Sequence, residues 1–340
     1  MSMHDALGRP LRDLRISVTD RCNLRCGYCM PREVFGAGYA FMERAELLSF
    51  EEIARLVGTL AKQGVGKVRL TGGEPLLRRG LERLVGMLSA VEGIEDLALT
   101  TNGLLLAGRA RSLADAGLGR VTVSLDALEA DALRAMSDTP IAPGRVLAGI
   151  DAAHAAGLPV KVNMVVRRGF NEHQVLAMAE RFRHTPHVLR FIEYMDVGSS
   201  NGWRMEEVVP AHEITATIAE RWELEPLAPN NAGEVATRYR YRDGGGEIGL
   251  IHSVSVPFCG DCARARLSAD GQLFTCLFAR EGHDLRALVR EGVEDEELAE
   301  RLSRIWGARR DRYSALRSTP TVGESREQTR PKVEMSYIGG

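Results

Sequence analysis

Six short runs rich in β-branched residues, at 14–18, 67–70, 97–101, 121–125, 160–166 and 188–193, alternate with longer amphipathic stretches. Strands that alternate with helices are joined by right-handed crossovers into a parallel sheet. Six such units are too few for a complete eight-stranded barrel. The expected fold is therefore α/β, an incomplete (βα)6 TIM-like barrel with a smaller C-terminal layer. Barrels of this kind carry their chemistry at the C-terminal ends of the strands. There the sequence places a cysteine loop, Gly72-Gly73-Glu74-Pro75, Thr101-Asn102-Gly103, Ser124-Leu125-Asp126, Asn163 and Glu193-Tyr194-Met195.

After residue 200 the pattern changes to a helical stretch at 211–222, then a Pro, Asn and Gly-rich stretch at 226–233. Two regions are expected, 1–225 carrying the barrel and 226–340 carrying the remaining cysteines. A chain of 340 residues, 44% hydrophobic, is long enough to bury a full core. With 44 Lys and Arg against 46 Asp and Glu, the net charge of -2 offers no general attraction to nucleic acid or anionic lipid. No apolar run has the length of a membrane span or the form of a signal peptide, so a cytoplasmic location is expected. In that reducing compartment the six cysteines read as ligands or free thiols rather than disulfides.

Cys22, Cys26 and Cys29 make C-x3-C-x2-C directly after the first strand. A loop of that length wraps three thiolates round one cubic iron–sulfur cluster and leaves one iron without a protein ligand. A vacant metal position can bind a small molecule directly. Spacing alone leaves a zinc knuckle or redox thiols open, but structural zinc needs a fourth ligand, and the closest histidine in sequence is His4. Cys259, Cys262 and Cys276 form a second triad, C-x2-C-x13-C. By spacing it suits a zinc ribbon closed by His252 or His283, or a second open cluster. Arg264 and Arg266 follow it two residues apart, on one face of any extended segment. Paired guanidiniums of that kind suit phosphate oxygens. Arg15, Lys67, Arg69, Lys161 and Arg190 alternate with apolar neighbours in the strands. Several should point into the barrel, where a polyanion would offset the cost of burying their charge.

The first triad, with Tyr28 before its last cysteine and the Gly-Gly-Glu-Pro turn one strand later, resembles the radical S-adenosylmethionine superfamily. The likeness narrows over nearly the whole chain to the GTP 3′,8-cyclase family of molybdenum cofactor biosynthesis. It rests on Ser17-Val18-Thr19-Asp20-Arg21-Cys22, Arg69-Leu70-Thr71-Gly72-Gly73-Glu74-Pro75-Leu76, Thr100-Thr101-Asn102-Gly103, Phe191-Ile192-Glu193-Tyr194-Met195, the second triad and the terminal Gly-Gly. The resemblance implies two [4Fe–4S] clusters, one on each triad. It implies S-adenosylmethionine contacts at Tyr28, Gly73, Ser124 and Met195; Glu74 can accept from the methionyl ammonium. It implies GTP contacts at Arg15, Arg69, Thr100, Lys161, Arg264, Ala265 and Arg266, with only backbone available at Ala265. Arg15, Arg264, Arg266 and the tail residues Gly339 and Gly340 are expected to act closest to the reaction. The implied reaction converts GTP to (8S)-3′,8-cyclo-7,8-dihydroguanosine 5′-triphosphate. Its implied partners are an electron donor, a downstream enzyme that forms the cyclic pyranopterin, and a second copy of the chain in a homodimer.

Three other patterns carry no chemistry. Gly66-Lys67 lacks the first glycine and the Ser or Thr of a phosphate-binding loop, and His212-Glu213 lacks a second histidine. Gly198-Ser199-Ser200-Asn201-Gly202 matches a nucleophile elbow in letters, yet no helical pattern follows directly, so it reads as a loop.

Overall fold

The computed structural model describes residues 3–230, 233–252, 254–256, 258–317 and 331–340. Strands β1 (Asp13–Ser17), β2 (Lys67–Thr71), β3 (Asp96–Thr101), β4 (Arg120–Ser124), β5 (Val160–Val166) and β6 (Val188–Glu193) lie side by side in sequence order, all parallel. Their ends fall within one residue of the sequence expectation. Period-two alternation sorts their side chains: Leu14, Ile16, Val68, Leu70, Leu99, Val121, Val123 and Val162 are buried in the main core.

Among the intervening helices, α1 (Phe50–Lys62) shows how the sequence builds this layer. Ser49 accepts from the Glu52 amide while Glu52 accepts from the Ser49 amide, so two orphan donors at the helix start are satisfied together. Ile53, Leu56, Val57 and Leu60 recur at helical spacing and are buried against the sheet. Helices α2 (Leu81–Ser89), α3 (Ala110–Asp115), α4 (Ala130–Ser137), α5 (Pro143–Ala155) and α6 (Val175–Phe182) follow the next strands.

The strands beyond β6 extend the same sheet at both edges. Helix α7 (Ala211–Ala219) leads to β7 (Leu224–Leu227), β8 (Thr237–Tyr241) and β9 (Glu247–Ile251), and β9 pairs parallel with β6. Strand β10 (Arg264–Leu267) pairs parallel with β1 and is followed antiparallel by β11 (Gln272–Phe274) and β12 (His283–Asp284). The order is β12-β11-β10-β1-β2-β3-β4-β5-β6-β9-β8-β7. In this register Arg266, Arg15 and Arg69 stand level on three adjacent strands. Helices α8 (Arg286–Arg290), α9 (Asp295–Gly307) and α10 (Tyr313–Leu316) precede a short tail helix, α11 (Met335–Ile338). Among the described residues no helix is long and apolar enough to cross a membrane.

Candidate active site

The strand ends surround a cavity of about 930 Å³ whose wall includes Arg15, Tyr28, Arg69, Thr100, Met195, Arg264, Arg266 and Gly340. Eight residues singled out from the sequence thus meet in one space. Tyr28 comes from the first cysteine loop, and Phe258 and Leu277, beside Cys259 and Cys276, complete the wall from the second. A basic mouth continues from this cavity, shares Arg15, Arg69, Arg190 and Arg264 with it, and adds Lys161, Lys67 and Arg120.

The cations divide into two groups. Lys67 is ion-paired with Asp13 and Asp96, and Arg120 with Asp96. Among the described residues Arg15, Arg69, Lys161, Arg190, Arg264 and Arg266 have no carboxylate in ion-pair range. Arg69 donates to Thr100 and Thr122 at 3.0 and 3.1 Å, Arg190 donates to Asn163 at 2.9 Å, and Arg264 lies 5.6 Å over the Phe258 ring. The buried Nε atoms of Arg15 and Arg69 lack any hydrogen-bond partner. Burial, reinforced by Arg264, pulls the Arg15 guanidinium down to about 10, and burial with Arg120 does the same to Arg190. Burial, with Arg190 and Arg120 close by, pulls the Lys161 ammonium down to about 8. An interior that depresses its own cations stores a demand for negative charge.

The six cysteines are free thiols. Burial pushes Cys22 up to about 11 and Cys276 up to about 12, and raises Cys26 and Cys29 as well. Burial also acts on Cys262, but Arg264 and Arg309 outweigh it and hold that thiol low. Three free thiols in each loop supply the soft donor type that an iron–sulfur cluster takes, whose irons replace the thiol protons. The zinc alternative needs a closing histidine at the second triad. His252 instead sits 2.5 Å from Thr237 Oγ1 through its Nε2, and His283 lies exposed at the sheet edge.

The Gly72-Gly73 turn packs directly under the first cysteine loop. The Gly73 amide donates to Thr19 O at 2.8 Å, and a Cβ on Gly73 would meet Arg21 O at 2.4 Å, so no side chain fits there. Glu74 is 1% exposed and ties the ends of β2 and β3 together by accepting from Leu76 N, Thr101 Oγ1 and Asn102 N. Ser124 ends β4 beside Asn163, and Ala265 is buried in the β10 ladder with its side chain in the core. Tyr28 donates to Asp126 at 2.8 Å, and burial pushes that carboxyl up to about 6. The tail enters from the other side: Arg266 donates to the Gly339 carbonyl, and Thr71 Oγ1 lies 3.4 Å from Gly340 O. Ile338 is fully buried and Tyr337 donates to Asp270.

The rejected motifs have structural uses. Ser199 N and Ser200 Oγ both donate to Glu334, so that loop clasps the tail. Glu213 forms a surface ion pair with Arg168. Sequence reasoning passed over Asp196, which accepts from Tyr313, Arg317 and Lys332 and thereby moors the approach to the tail. Its position next to Met195 at the end of β6 was the available signal.

This geometry coincides with family likeness across the whole chain. Residues 16–182 match the Radical SAM superfamily and residues 187–315 match Molybdenum Cofactor Synthesis C. A GTP 3′,8-cyclase of Acidothermus cellulolyticus is 56% identical over 359 residues, covering 99% of each chain. The chain belongs to the GTP 3′,8-cyclase family. A cyclase from Staphylococcus epidermidis is 48% identical over 99% of each chain. The cyclase fold is also shared, at 14% identity and a TM-score of 0.63, with Streptococcus suis SuiB bound to S-adenosylmethionine, covering 93% of this chain and 70% of that one.

Proposed function

We propose that the chain converts GTP to (8S)-3′,8-cyclo-7,8-dihydroguanosine 5′-triphosphate, with one [4Fe–4S] cluster on Cys22, Cys26 and Cys29 and a second on Cys259, Cys262 and Cys276. The observation that carries this reading is the cavity itself: six cations without carboxylate partners, walled by residues from both cysteine loops. When bound, the first cluster supplies the electron that splits S-adenosylmethionine into methionine and the radical that removes the 3′ hydrogen of GTP.

The residues of the chain bind and align. Tyr28, held by Asp126, with Gly73, Glu74, Ser124 and Met195, frames the S-adenosylmethionine side. Arg15, Arg69, Lys161, Arg264 and Arg266 receive the triphosphate, with Thr100 and the Ala265 backbone beside them. Each charged hydrogen bond to phosphate contributes about 1.5–3 kcal/mol, and an anion relieves the burial cost the cations carry when empty. Gly339 and Gly340 shape the wall beside Thr71 and Arg266. Fixing the 3′ carbon against guanine C8 is the protein's main contribution to rate. Bond formation between them, with one further electron and proton, leaves an isomer of GTP.

The family likeness and free thiols support a cytoplasmic enzyme that draws electrons from a separate donor, passes its product to a cyclic pyranopterin-forming enzyme and pairs as a homodimer. Anaerobically reconstituted protein, given reductant, S-adenosylmethionine and GTP, should form the isomer with one 5′-deoxyadenosine per turnover. A colourless zinc-loaded protein with the same activity would overturn the reading.

A further inference from the structure

Outside the cavity, the most concentrated buried charge lies among residues 300 positions apart. Asp5 and Arg309 side chains are 0% and 1% exposed, and Arg9 is 4% exposed. Both guanidiniums converge on Asp5: Arg9 through Nε at 2.7 Å and Nη2 at 2.6 Å, Arg309 through Nη1 at 3.1 Å. Asp5 also accepts from the amides of Leu7 and Arg9, closing the turn that carries Arg9.

The hydrogen bonds these two guanidiniums make beyond Asp5 go to the second triad's backbone or its immediate support. Arg9 Nη1 donates to the carbonyl of Cys259 at 2.7 Å and of Asp311 at 2.9 Å. Arg309 donates to the carbonyl of Cys262 at 2.8 Å and of Thr275, the residue before Cys276, at 3.0 Å. Asp311 accepts from Thr275 Oγ1 at 2.6 Å and lies 3.5 Å from Arg309, while Trp306 lies 4.5 Å under the Arg309 guanidinium and donates to Arg9 O. Two cations thus meet two carboxylates, and the set is formally neutral. It places backbone rather than adding charge to the cavity.

We infer that Asp5, Arg9 and Arg309 are positioning residues for the second metal centre, a brace from the N-terminus that holds Cys259, Cys262 and Cys276 in one ligating arrangement. This rests on the two-cluster reading above. Planar guanidinium forks fix two acceptors each in direction as well as distance, which a lysine cannot do. The two loops leave the same end of the antiparallel β10–β11 pair, and the brace extends that tie beyond the ladder to the backbone of the first two cysteines and of Thr275. Among the described residues no hydrogen bond or ion pair joins Asp5, Arg9 or Arg309 to the first triad.

The test uses the full chain as Arg9→Gln, Arg309→Gln and the conservative Arg9→Lys. In iron-free protein, maleimide labelling followed by mass spectrometry should show Cys259 reacting at least about tenfold faster in the Gln variants, with Cys22, Cys26 and Cys29 unchanged. After anaerobic reconstitution, iron should fall from about eight to about four per chain while S-adenosylmethionine cleavage without GTP stays within about twofold. Arg9→Lys should lie between, keeping the charge but losing the fork. Unchanged labelling with full iron would overturn the inference. So would a uniform rise in labelling at all six cysteines, which marks general loosening. A parent protein with only about four irons would instead remove the two-cluster reading on which the inference stands.

Discussion

Gly339→Ala tests whether the tail works by its docked position. Gly339 has φ of +79°, and a Cβ there would lie 2.3 Å from Thr71 Cγ2. At φ +79° and ψ +129° the backbone lies where a residue with a Cβ is strained by about 1–3 kcal/mol. The collision can be relieved only by lifting the tail, which forfeits the charged hydrogen bond from Arg266 to the Gly339 carbonyl, about 1.5–3 kcal/mol. Strain and collision thus push the glycine pair out of its docked position, against a lost hydrogen bond of about 1.5–3 kcal/mol. Ile338 and Tyr337 keep the preceding turn anchored. Cluster content, thermal stability and GTP affinity should stay close to the parent, while single-turnover product formation falls roughly a hundredfold through misalignment. Deleting Gly339 and Gly340 should do the same, and a peptide copying the last residues should restore part of the rate. Thr71→Ser removes the Cγ2 methyl but keeps the hydroxyl. In the Gly339→Ala background it should recover roughly tenfold, because the clash goes and the backbone strain remains. Full activity in Gly339→Ala, or no recovery in the pair, would refute the reasoning.

Arg15→Met should weaken GTP roughly tenfold to a hundredfold by calorimetry yet raise the melting temperature of the ligand-free protein, because it removes a buried cation with no partner; a fall in both would contradict the cavity's electrostatics. Lys161 titrates near 8 in the empty site, and a bound polyanion raises that value. GTP affinity should therefore hold below about pH 8 and decline as pH rises above it, with the slope lost in Lys161→Met. Cys22→Ala should abolish S-adenosylmethionine cleavage, whereas Cys276→Ala should keep some uncoupled cleavage and lose cyclisation, measured as 5′-deoxyadenosine against product.

The six parallel strands were legible because each pairs a period-two pattern with a helical one, and the cavity cations because Arg15, Arg69 and Arg190 interrupt apolar strands. The pairing of β1 with β10 joins residues some 250 positions apart and has no local signature, so the level row of Arg69, Arg15 and Arg266 emerged only in three dimensions. The same separation hid Asp5, Arg9 and Arg309, whose individual residues look like ordinary surface charges. Glu74 shows a different limit. Its motif suggests a ligand contact, whereas in the structure its buried carboxylate knits two strand ends, a use with no sequence signature.

The most direct test of the central claim is single turnover of the anaerobically reconstituted protein with GTP carrying deuterium at C3′. The account expects the deuterium to appear in 5′-deoxyadenosine, one label per molecule of a product with the formula of unlabelled GTP. Unlabelled 5′-deoxyadenosine formed alongside that product would contradict it, because the hydrogen removed would then have come from another position.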